Sequence, residues 1–389
     1  MKGPILLLLS LSASVTICHA QTSRELPPET RRELVEYLKT HHQTPEKYVL
    51  STFKTHDVVF LGEWHRIKHD PLLVQRLIQR LPGAGVYTLG YEFARRIDQP
   101  LIDSLLDSPT YDEQLARSIV FKQFVHWGYQ EYVDIFKAAW NLNRTLPPGG
   151  RRFRILGLNN SPDWSFVTSQ EDRDKWEVMR KVWHGETEAD WAQVLEDEVI
   201  ARGEKALVYC GIHHAFTRYR QPIVVDGKFV RFGDVRVGNH IYEKIGPRAF
   251  TIFLHAPWVN VEGYDAPPVL AADGSIDAVL QDLSPEQQHV GFDLKGTPFG
   301  TLPGVTSLYK FGYEDFTLET IYDGYICQGP LSSYEGVTPI RDFVNEHNLA
   351  QARAQSPSPD MRNAPAEDFY RGAVQDADIP RRLTDLGKR

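Results

Sequence analysis

Residues 58–65, with the sequence VVFLGEWH, decide the fold class of this chain. The first four residues are apolar, as expected for a short strand that is buried on both faces of a sheet. Gly62, Glu63 and His65 follow at once, so polar groups stand where the strand ends. This stretch predicts a strand of a parallel sheet whose carboxyl end carries chemistry.

Similar apolar stretches recur along the chain and alternate with helical patterns. The predicted strands are residues 58–61, 87–93, 153–158, 206–210 and 250–254. Strands that alternate with helices are typical of an α/β fold. The sequence therefore predicts a mostly parallel sheet flanked by helices on both faces, with a loop-rich C-terminal extension.

The chain divides by composition into five segments. Residues 1–20 have a positive start, a short apolar run and small residues before a cleavage point after Ala20, which predicts a signal peptide and a periplasmic or secreted protein. The bulky Ile17 before Cys18 disfavours a lipid anchor, so membrane association is not expected. The other predicted segments are an N-terminal helical segment (21–50), an α/β core (51–260), a loop-rich extension packed on the core (261–350) and a flexible tail (351–389).

The composition argues against a nucleic-acid partner and leaves two cysteines in the mature chain. The formal net charge is -8, and no basic stripe with interleaved aromatic residues is present, so nucleic acid is not an expected partner. After signal removal two cysteines remain, Cys210 and Cys327. An oxidising compartment would allow them to pair, and two buried thiols are the alternative.

Polar side chains follow each of the five predicted strands. Glu63 and His65 follow the first strand, and Glu92 ends the second. The remaining strands are followed by Asn159, by the pair His213–His214 and by His255. Because ligands of open α/β sheets bind outside the carboxyl ends of the strands, we expect these groups to converge in one cleft.

A Gly-x-x-His element occurs twice, from Gly62 to His65 and from Gly211 to His214. A glycine at a strand end permits a sharp turn or a close approach of the backbone. Two such elements on different strands predict two imidazoles that face each other across the cleft.

These residue types support two kinds of chemistry. The candidate metal ligands are Glu63, His65, Glu92, His213 and His214, and imidazole with carboxylate suits manganese, zinc, cobalt or iron. Metal-free acid–base catalysis by Glu63, His65, Glu92 and His214 is the alternative. His69, Arg95, Asn159 and His255 are candidate supporting residues. Simpler structural roles remain open for several of them: Glu63 as a helix cap, His65 in a solvated loop and Asn159 in a turn.

With these motifs in place, the chain resembles the ChaN-like group of the superfamily that also holds TIKI proteases, TraB-type proteins and erythromycin esterases. The resemblance runs from about Val58 to Pro222. The motifs that carry it are residues 61–65 (LGEWH), 91–93 (YEF), the aromatic stretch 126–139, residues 155–159 (ILGLN) and 211–214 (GIHH).

The resemblance implies three activities. ChaN-like proteins are associated with haem binding and iron uptake, TIKI relatives resemble metal-dependent proteases, and erythromycin esterases open a lactone without a metal. Glu63, His65, Glu92 and His214 match positions shared by these groups. His213 beside His214, the absence of a convincing lipobox and the long segment after Val261 depart from the pattern.

The leading hypothesis is an exported hydrolase of an ester or amide bond, acting on a small-molecule or peptide substrate with or without a divalent metal. A haem-binding envelope protein and a metal-free lactone hydrolase are the alternatives.

Overall fold

The computed structural model of the chain describes residues 26–264, 266–384 and 386, and the predicted signal peptide lies outside them. Nine strands are found in this part of the chain: β1 (Val58–Glu63), β2 (Thr88–Arg95), β3 (Arg154–Asn159), β4 (Ala206–Gly211), β5 (Pro222–Val225), β6 (Lys228–Phe232), β7 (Ala249–Leu254), β8 (His289–Asp293) and β9 (Gly324–Gln328). The five predicted strands are confirmed as β1, β2, β3, β4 and β7.

Helices connect the strands over the same described residues. They are α1 (Pro28–Thr40), α2 (Pro45–Thr52), α3 (His69–Ile78), α4 (Gln99–Asp107), α5 (Glu113–Gln123), α6 (Gln130–Thr145), α7 (Trp176–Val182), α8 (Glu188–Leu195), α9 (Ile212–Ala215), α10 (Val237–Ile245), α11 (Ser275–Leu280), α12 (Leu318–Ile321), α13 (Leu349–Ala354), α14 (Ala366–Asp376) and α15 (Ile379–Leu383). No described helix is both long and apolar enough to cross a lipid bilayer.

Seven strands form one sheet in the order β3-β2-β4-β1-β7-β9-β8. All neighbouring pairs are parallel except β8 and β9, which are antiparallel. β5 and β6 form a separate antiparallel hairpin. The predicted α/β class with a mostly parallel sheet is confirmed.

The two faces of the sheet pack into two separate cores, as the alternation of side chains along β1 shows. Val58 and Phe60 join one core, which includes residues of α8, α10 and α11. Val59 and Leu61 join the other, which includes residues of α3 to α6. Because successive side chains of a strand point to opposite faces, helices must cover both faces, as the sequence predicts.

The C-terminal third is more integrated than its composition suggests. β8 and β9 belong to the main sheet, so the predicted boundary at residue 260 does not divide it. Residues 351–384, predicted as a flexible tail, instead include α14, α15 and most of α13, and Phe369 and Ile379 are buried in the two cores. The tail prediction is wrong for these residues because it weighed their Pro, Asp and Arg content over the few apolar residues that anchor them. Cys210 and Cys327 are both buried and unpaired.

Candidate functional site

The candidate site lies at the carboxyl ends of three adjacent strands. In the order β2-β4-β1, β4 stands between the other two, and Glu63 of β1 is level with Gly211 of β4. Glu92 stands near the end of β2. The sheet order therefore brings Glu63, His65, Glu92 and His214 into one region, although they come from distant parts of the sequence.

Glu63 is the buried anchor of the site, with a 1 % exposed residue surface. Its Oε1 accepts a hydrogen bond from the Tyr132 hydroxyl at 2.6 Å and lies 2.7 Å from Nδ1 of His65. Its Oε2 accepts from the Tyr209 hydroxyl. Since a carboxylate only accepts, this arrangement places a proton on Nδ1 of His65 and leaves Nε2 as the basic nitrogen.

The hydroxyls of Tyr132 and Tyr209 are neutral and donate hydrogen bonds to Glu63. Burial, followed by the nearby charge of Glu63, raises the pKa of both Tyr132 and Tyr209 well above the usual value of a phenol. Neither hydroxyl ionises near neutral pH, so both continue to donate to the carboxylate. Glu63 is thus fixed in place before any ligand arrives.

Gly211 lets His65 and Glu92 approach each other. A Cβ atom at this position would lie 2.7 Å from Cε1 and 2.9 Å from Nε2 of His65, and 3.6 Å from Oε2 of Glu92. The backbone N–H of Gly211 donates to the same Glu92 oxygen at 2.6 Å. The glycine of the second Gly-x-x-His element therefore makes room for the histidine of the first.

His214 stands between two carboxylates. Its Nε2 lies 3.5 Å from Oε1 of Glu92, and its Nδ1 lies 3.0 Å from Oε2 of Glu188. The imidazole stacks on the ring of Trp191, with the centroids 4.8 Å apart. Glu188 in turn accepts from Nη1 of Arg236 at 2.6 Å and from the backbone N–H of Val237 at 2.9 Å.

These contacts set the charge of the His214–Glu188 pair. Burial acts to lower the pKa of His214, but the charges of Glu188 and Glu92 outweigh it and raise the pKa to about 9. Burial acts to raise the pKa of Glu188, but the charges and hydrogen bonds of His214 and Arg236 hold it at about 2. His214 is therefore an imidazolium at neutral pH, beside an ionised Glu188.

The polar groups open onto a cavity of about 520 Å³, a size typical of sites for small molecules. Its polar wall includes His65, Glu92, His214 and Glu188. Six aromatic side chains also line the cavity: Phe93, Phe124, Trp127, Trp164, Trp183 and Trp191. The cavity combines a charged corner with a broad apolar surface.

Several residues predicted for the site lie elsewhere. His213 turns toward the C-terminal third, where its Nε2 lies 2.7 Å from the Tyr309 hydroxyl. His255 is buried against the Tyr325 hydroxyl at 2.8 Å and Asp277 at 3.3 Å. Neither imidazole lines the cavity, because each is held by a hydroxyl of residues 307–328, a segment whose packing the local sequence does not reveal.

Two further supporting candidates also have structural partners. His69 is the first residue of α3, and its ring contacts Tyr334 at a centroid distance of 4.3 Å. Burial lowers the pKa of His69 to about 3, so it stays neutral. Arg95 forms a two-pronged pair with Asp98, at 2.6 and 3.0 Å. Asn159, in contrast, lines the cavity.

The set of five proposed metal ligands is not assembled. Over the residues that the structure describes, no group of three or more His, Cys, Asp or Glu side chains is arranged to hold a metal ion. Both oxygens of Glu63 already have partners in Tyr132, Tyr209 and His65, and His213 contacts Tyr309 instead.

Sequence reasoning missed Tyr132, Tyr209, Glu188 and Arg236. Tyr209 was visible in principle, because it lies in β4 opposite Leu61 and two residues before Gly211. Glu188 begins α8 after a Thr187 cap, and Arg236 comes from the loop before α10. Nothing in the spacing of these last two residues links them to the strand ends.

No curated protein sequence is similar enough to this chain to count as a match. Among solved structures, a succinoglycan biosynthesis protein is 10% identical, with 81% of this chain and 99% of that chain covered at a TM-score of 0.49. ChaN of Campylobacter jejuni, solved with cofacial haem, is 13% identical over 59% and 92% of the two chains, at a TM-score of 0.38. A mutant erythromycin esterase in its open conformation is 11% identical over 72% and 92%, at 0.45. None of these similarities assigns a function to the chain.

A family model described as "Haem-binding uptake, Tiki superfamily, ChaN" matches residues 49–174. The matched segment contains Glu63, His65 and Glu92, three of the four residues on which the sequence resemblance rests. The predicted resemblance is confirmed over residues 49–174, which are similar to the ChaN family of the Tiki superfamily.

Proposed function

We propose that this protein is a hydrolase that cleaves an ester or amide bond of a small-molecule or peptide substrate, without a metal. His65 is the general base, since Glu63 holds its Nδ1 and leaves Nε2 free at the cavity wall. Nε2 takes a proton from a water molecule as the water oxygen bonds to the carbonyl carbon. The C–O or C–N bond to the leaving group then breaks, and the leaving group takes that proton from His65.

The observation that carries this proposal is the pairing of a buried Glu63 with His65 at the wall of the cavity. The His65 side chain is 33 % exposed while that of Glu63 is fully buried. A base with one nitrogen fixed by a carboxylate and the other open to substrate is the arrangement that general-base catalysis requires. A helix cap or a solvated loop histidine would need neither the burial nor the two tyrosines.

Glu92 and His214 supply the second half of the proposed mechanism. Glu92 lies beside His65 and has a 10 % exposed side chain, so it can accept the second hydrogen of the attacking water. The positive charge of His214 favours the negative charge that develops on the carbonyl oxygen. Its ring lies between the carboxylates of Glu92 and Glu188 and stacks on Trp191, so its charge is in place before a substrate binds.

A metal-free mechanism is favoured because Glu63 and Glu92 already have partners within the protein. Glu63 accepts three hydrogen bonds from the protein, and Glu92 is held by Gly211 and His214. A metal at this place would have to displace donors that the fold has positioned. The family resemblance to lactone hydrolases that use a histidine base supports the same route.

A panel of esters, lactones and peptides tests the proposal directly. We expect turnover of at least one class, equal in the presence and absence of a strong chelator. Glu92→Gln should lower kcat/KM by about 10- to 100-fold, because it removes the charge that orients water and supports His214. Turnover that requires added metal would contradict the metal-free form, and no turnover on any substrate would contradict the hydrolase.

A second candidate function is haem binding, favoured by the family description and by the aromatic lining of the cavity. His65 fits an axial iron ligand, since a carboxylate behind the imidazole is a common support for metal-bound histidine. The rest of the lining fits less well. Glu92, Glu186 and Asp234 are acidic, and Arg236, the arginine of the described lining, is already paired with Glu188 rather than available to the haem carboxylates.

Titration with haemin separates the two candidates. A saturable Soret band that shifts in wild type and is lost in His65→Ala would establish haem binding. The hydrolase proposal predicts no such shift, because the acidic residues of the cavity repel the carboxylates of haem.

We also propose that the protein acts outside the cytoplasm, in the periplasm or as a secreted protein. The support is the sequence of residues 1–20, which lies outside the described part of the structure. N-terminal sequencing of the exported protein should begin at residue 21. A mature chain that still carries residues 1–20 would contradict this.

A further inference from the structure

Arg66, the residue after His65, has a backbone conformation that only a specific environment can hold. Its φ is 78°, in the left-handed region that non-glycine residues rarely adopt. Such a conformation is strained and persists only where surrounding contacts stabilise it. Those contacts therefore show what holds the chain in its turn directly after the proposed base.

The backbone of Arg66 is hydrogen-bonded on both sides. Its N–H donates to the Tyr132 hydroxyl at 3.0 Å, and its carbonyl oxygen accepts from the N–H of Val337 at 3.0 Å. The same Tyr132 hydroxyl donates to Glu63 at 2.6 Å. One tyrosine thus links the backbone of Arg66 to the carboxylate that holds His65.

The guanidinium of Arg66 reaches the C-terminal helices. Its Nη2 lies 3.1 Å from Oδ2 of Asp376, the last residue of α14, and its Nε donates to the Tyr129 hydroxyl at 2.9 Å. The group also lies over the ring of Trp127, 4.6 Å from the centroid. Trp127 meets the ring of His65 edge-on, with the centroids 5.0 Å apart. Trp127 therefore contacts both the guanidinium of Arg66 and the imidazole of His65.

Trp64, the residue before His65, also contacts the C-terminal helices. The guanidinium of Arg382, in α15, lies 4.1 Å from the ring centroid of Trp64. Both sequence neighbours of His65 are therefore held by residues more than 300 positions away. No catalytic role of these C-terminal residues is needed to explain their contacts with Trp64 and Arg66.

We propose that α14 and α15 position His65, with Asp376 and Arg66 as the principal positioning pair. Asp376 holds the Arg66 guanidinium, this fixes the left-handed turn after His65 and the face of Trp127, and together they keep His65 aligned on Glu63. The inference rests on the proposed function and deepens it, because it makes the geometry of the base depend on Asp376, α14 and α15, which lie outside residues 49–174.

The test follows the imidazole of His65 by ¹H–¹⁵N NMR, with its signals assigned by their loss in His65→Ala. Asp376 is half exposed, so Asp376→Asn is expected to fold normally. The matched control is Asp368→Asn on the same helix, since the Asp368 carboxylate pairs with its exposed neighbour Arg371. Arg66→Ala and Arg66→Gly complete the set, because glycine adopts the left-handed conformation without strain.

We expect Asp376→Asn and Arg66→Ala to shift or broaden the His65 signals and to lower kcat about 10-fold with KM within twofold. Arg66→Gly should recover part of the loss, and Asp368→Asn should match wild type. Wild-type His65 signals in a folded Asp376→Asn variant, or an equal effect of Asp368→Asn, would overturn the inference. If wild type hydrolyses nothing, the NMR result still decides the positioning role, and only the hydrolase proposal falls.

Discussion

At the scale of single residues, the site depends on how closely His65, Glu92 and Gly211 pack. The ring of His65 occupies the space where any side chain at position 211 would begin. The same glycine donates its N–H to Glu92, so its backbone cannot move away without breaking that hydrogen bond. The site therefore requires glycine at position 211.

Gly211→Ala should lower kcat/KM by about 100-fold, because the new Cβ must displace the imidazole or the carboxylate. The φ of Gly211 is -58°, so alanine introduces no backbone strain and the fold should survive. Gly372→Ala in α14 is the matched control, since its methyl group would meet open space among the described residues. Equal kcat/KM for both variants would show that the close approach is not required.

Glu63→Gln tests the carboxylate behind the base. The amide removes the charge and one acceptor, so Tyr209 or His65 loses its partner, and we expect kcat to fall roughly 100-fold. Glu131→Gln is the control, because Glu131 is also buried but accepts from Thr338, away from the cavity. Steady-state kinetics on the best substrate decide it, and unchanged kcat in Glu63→Gln would remove Glu63 from the mechanism.

At the scale of elements, α8 supplies the residue that controls the charge of His214. Glu188 is the first residue of this helix, and its carboxylate also accepts from the first N–H of α10. Two helix N-termini thus converge on one acid, which favours its ionised form. The position of α8 therefore affects the protonation state of His214, which follows β4.

Glu188→Gln should move the alkaline limb of the pH–rate profile. In wild type, activity is expected to fall above about pH 9 as His214 loses its proton. Removing the charge of Glu188 lowers the pKa of His214, so the limb should move down by roughly one pH unit. Glu177→Gln, on the exposed surface of α7, should leave the profile unchanged. A limb at the same pH in Glu188→Gln would contradict the assignment.

The same pair predicts how stability varies with pH. The folded pKa of His214 is raised, so its contribution is complete below about pH 6.5 and is lost as the pH rises through about 9. The folded pKa of Glu188 is lowered, so its contribution is complete above about 4.5 and is lost as the pH falls toward 2. Urea denaturation across this range should show maximal stability between the two limits, and Glu188→Gln should flatten both flanks.

The elements themselves could be predicted well from the sequence, and the reason is physical. Each of the five predicted strands is a short apolar stretch, and burial on both faces of a parallel sheet requires such a stretch. The strand ends that meet in space were also predictable for Glu63, Glu92 and His214. His255 shows the limit, because β7 lies on the other side of β1 and packs under residues whose fold is not visible locally.

At the scale of the whole molecule, the C-terminal third contacts two parts of the site. α14 and α15 contact the chain on both sides of His65, and Arg362 holds residues 164–167 by donating to the carbonyls of Trp164 and Val167. Trp164 lines the aromatic wall of the cavity. These contacts join positions about 200 to 300 residues apart, so no local pattern in the sequence could reveal them.

Hydrogen exchange provides a test of this organisation. If α14 is packed as described, the amides around the buried Phe369 should exchange much more slowly than those of an unstructured chain. The amides of α10, which belongs to the central fold, serve as the internal reference. Complete exchange of residues 366–376 within seconds, with α10 protected, would restore the flexible-tail interpretation.

The role of His65 as a general base is tested by measuring kcat/KM for wild type and His65→Ala. The substrate is the best one of the panel, and the buffer contains a chelator. We expect turnover by wild type and a loss of roughly 100- to 10,000-fold in the variant, with the fold intact. No detectable turnover by wild type, or a variant as active as wild type, would contradict it.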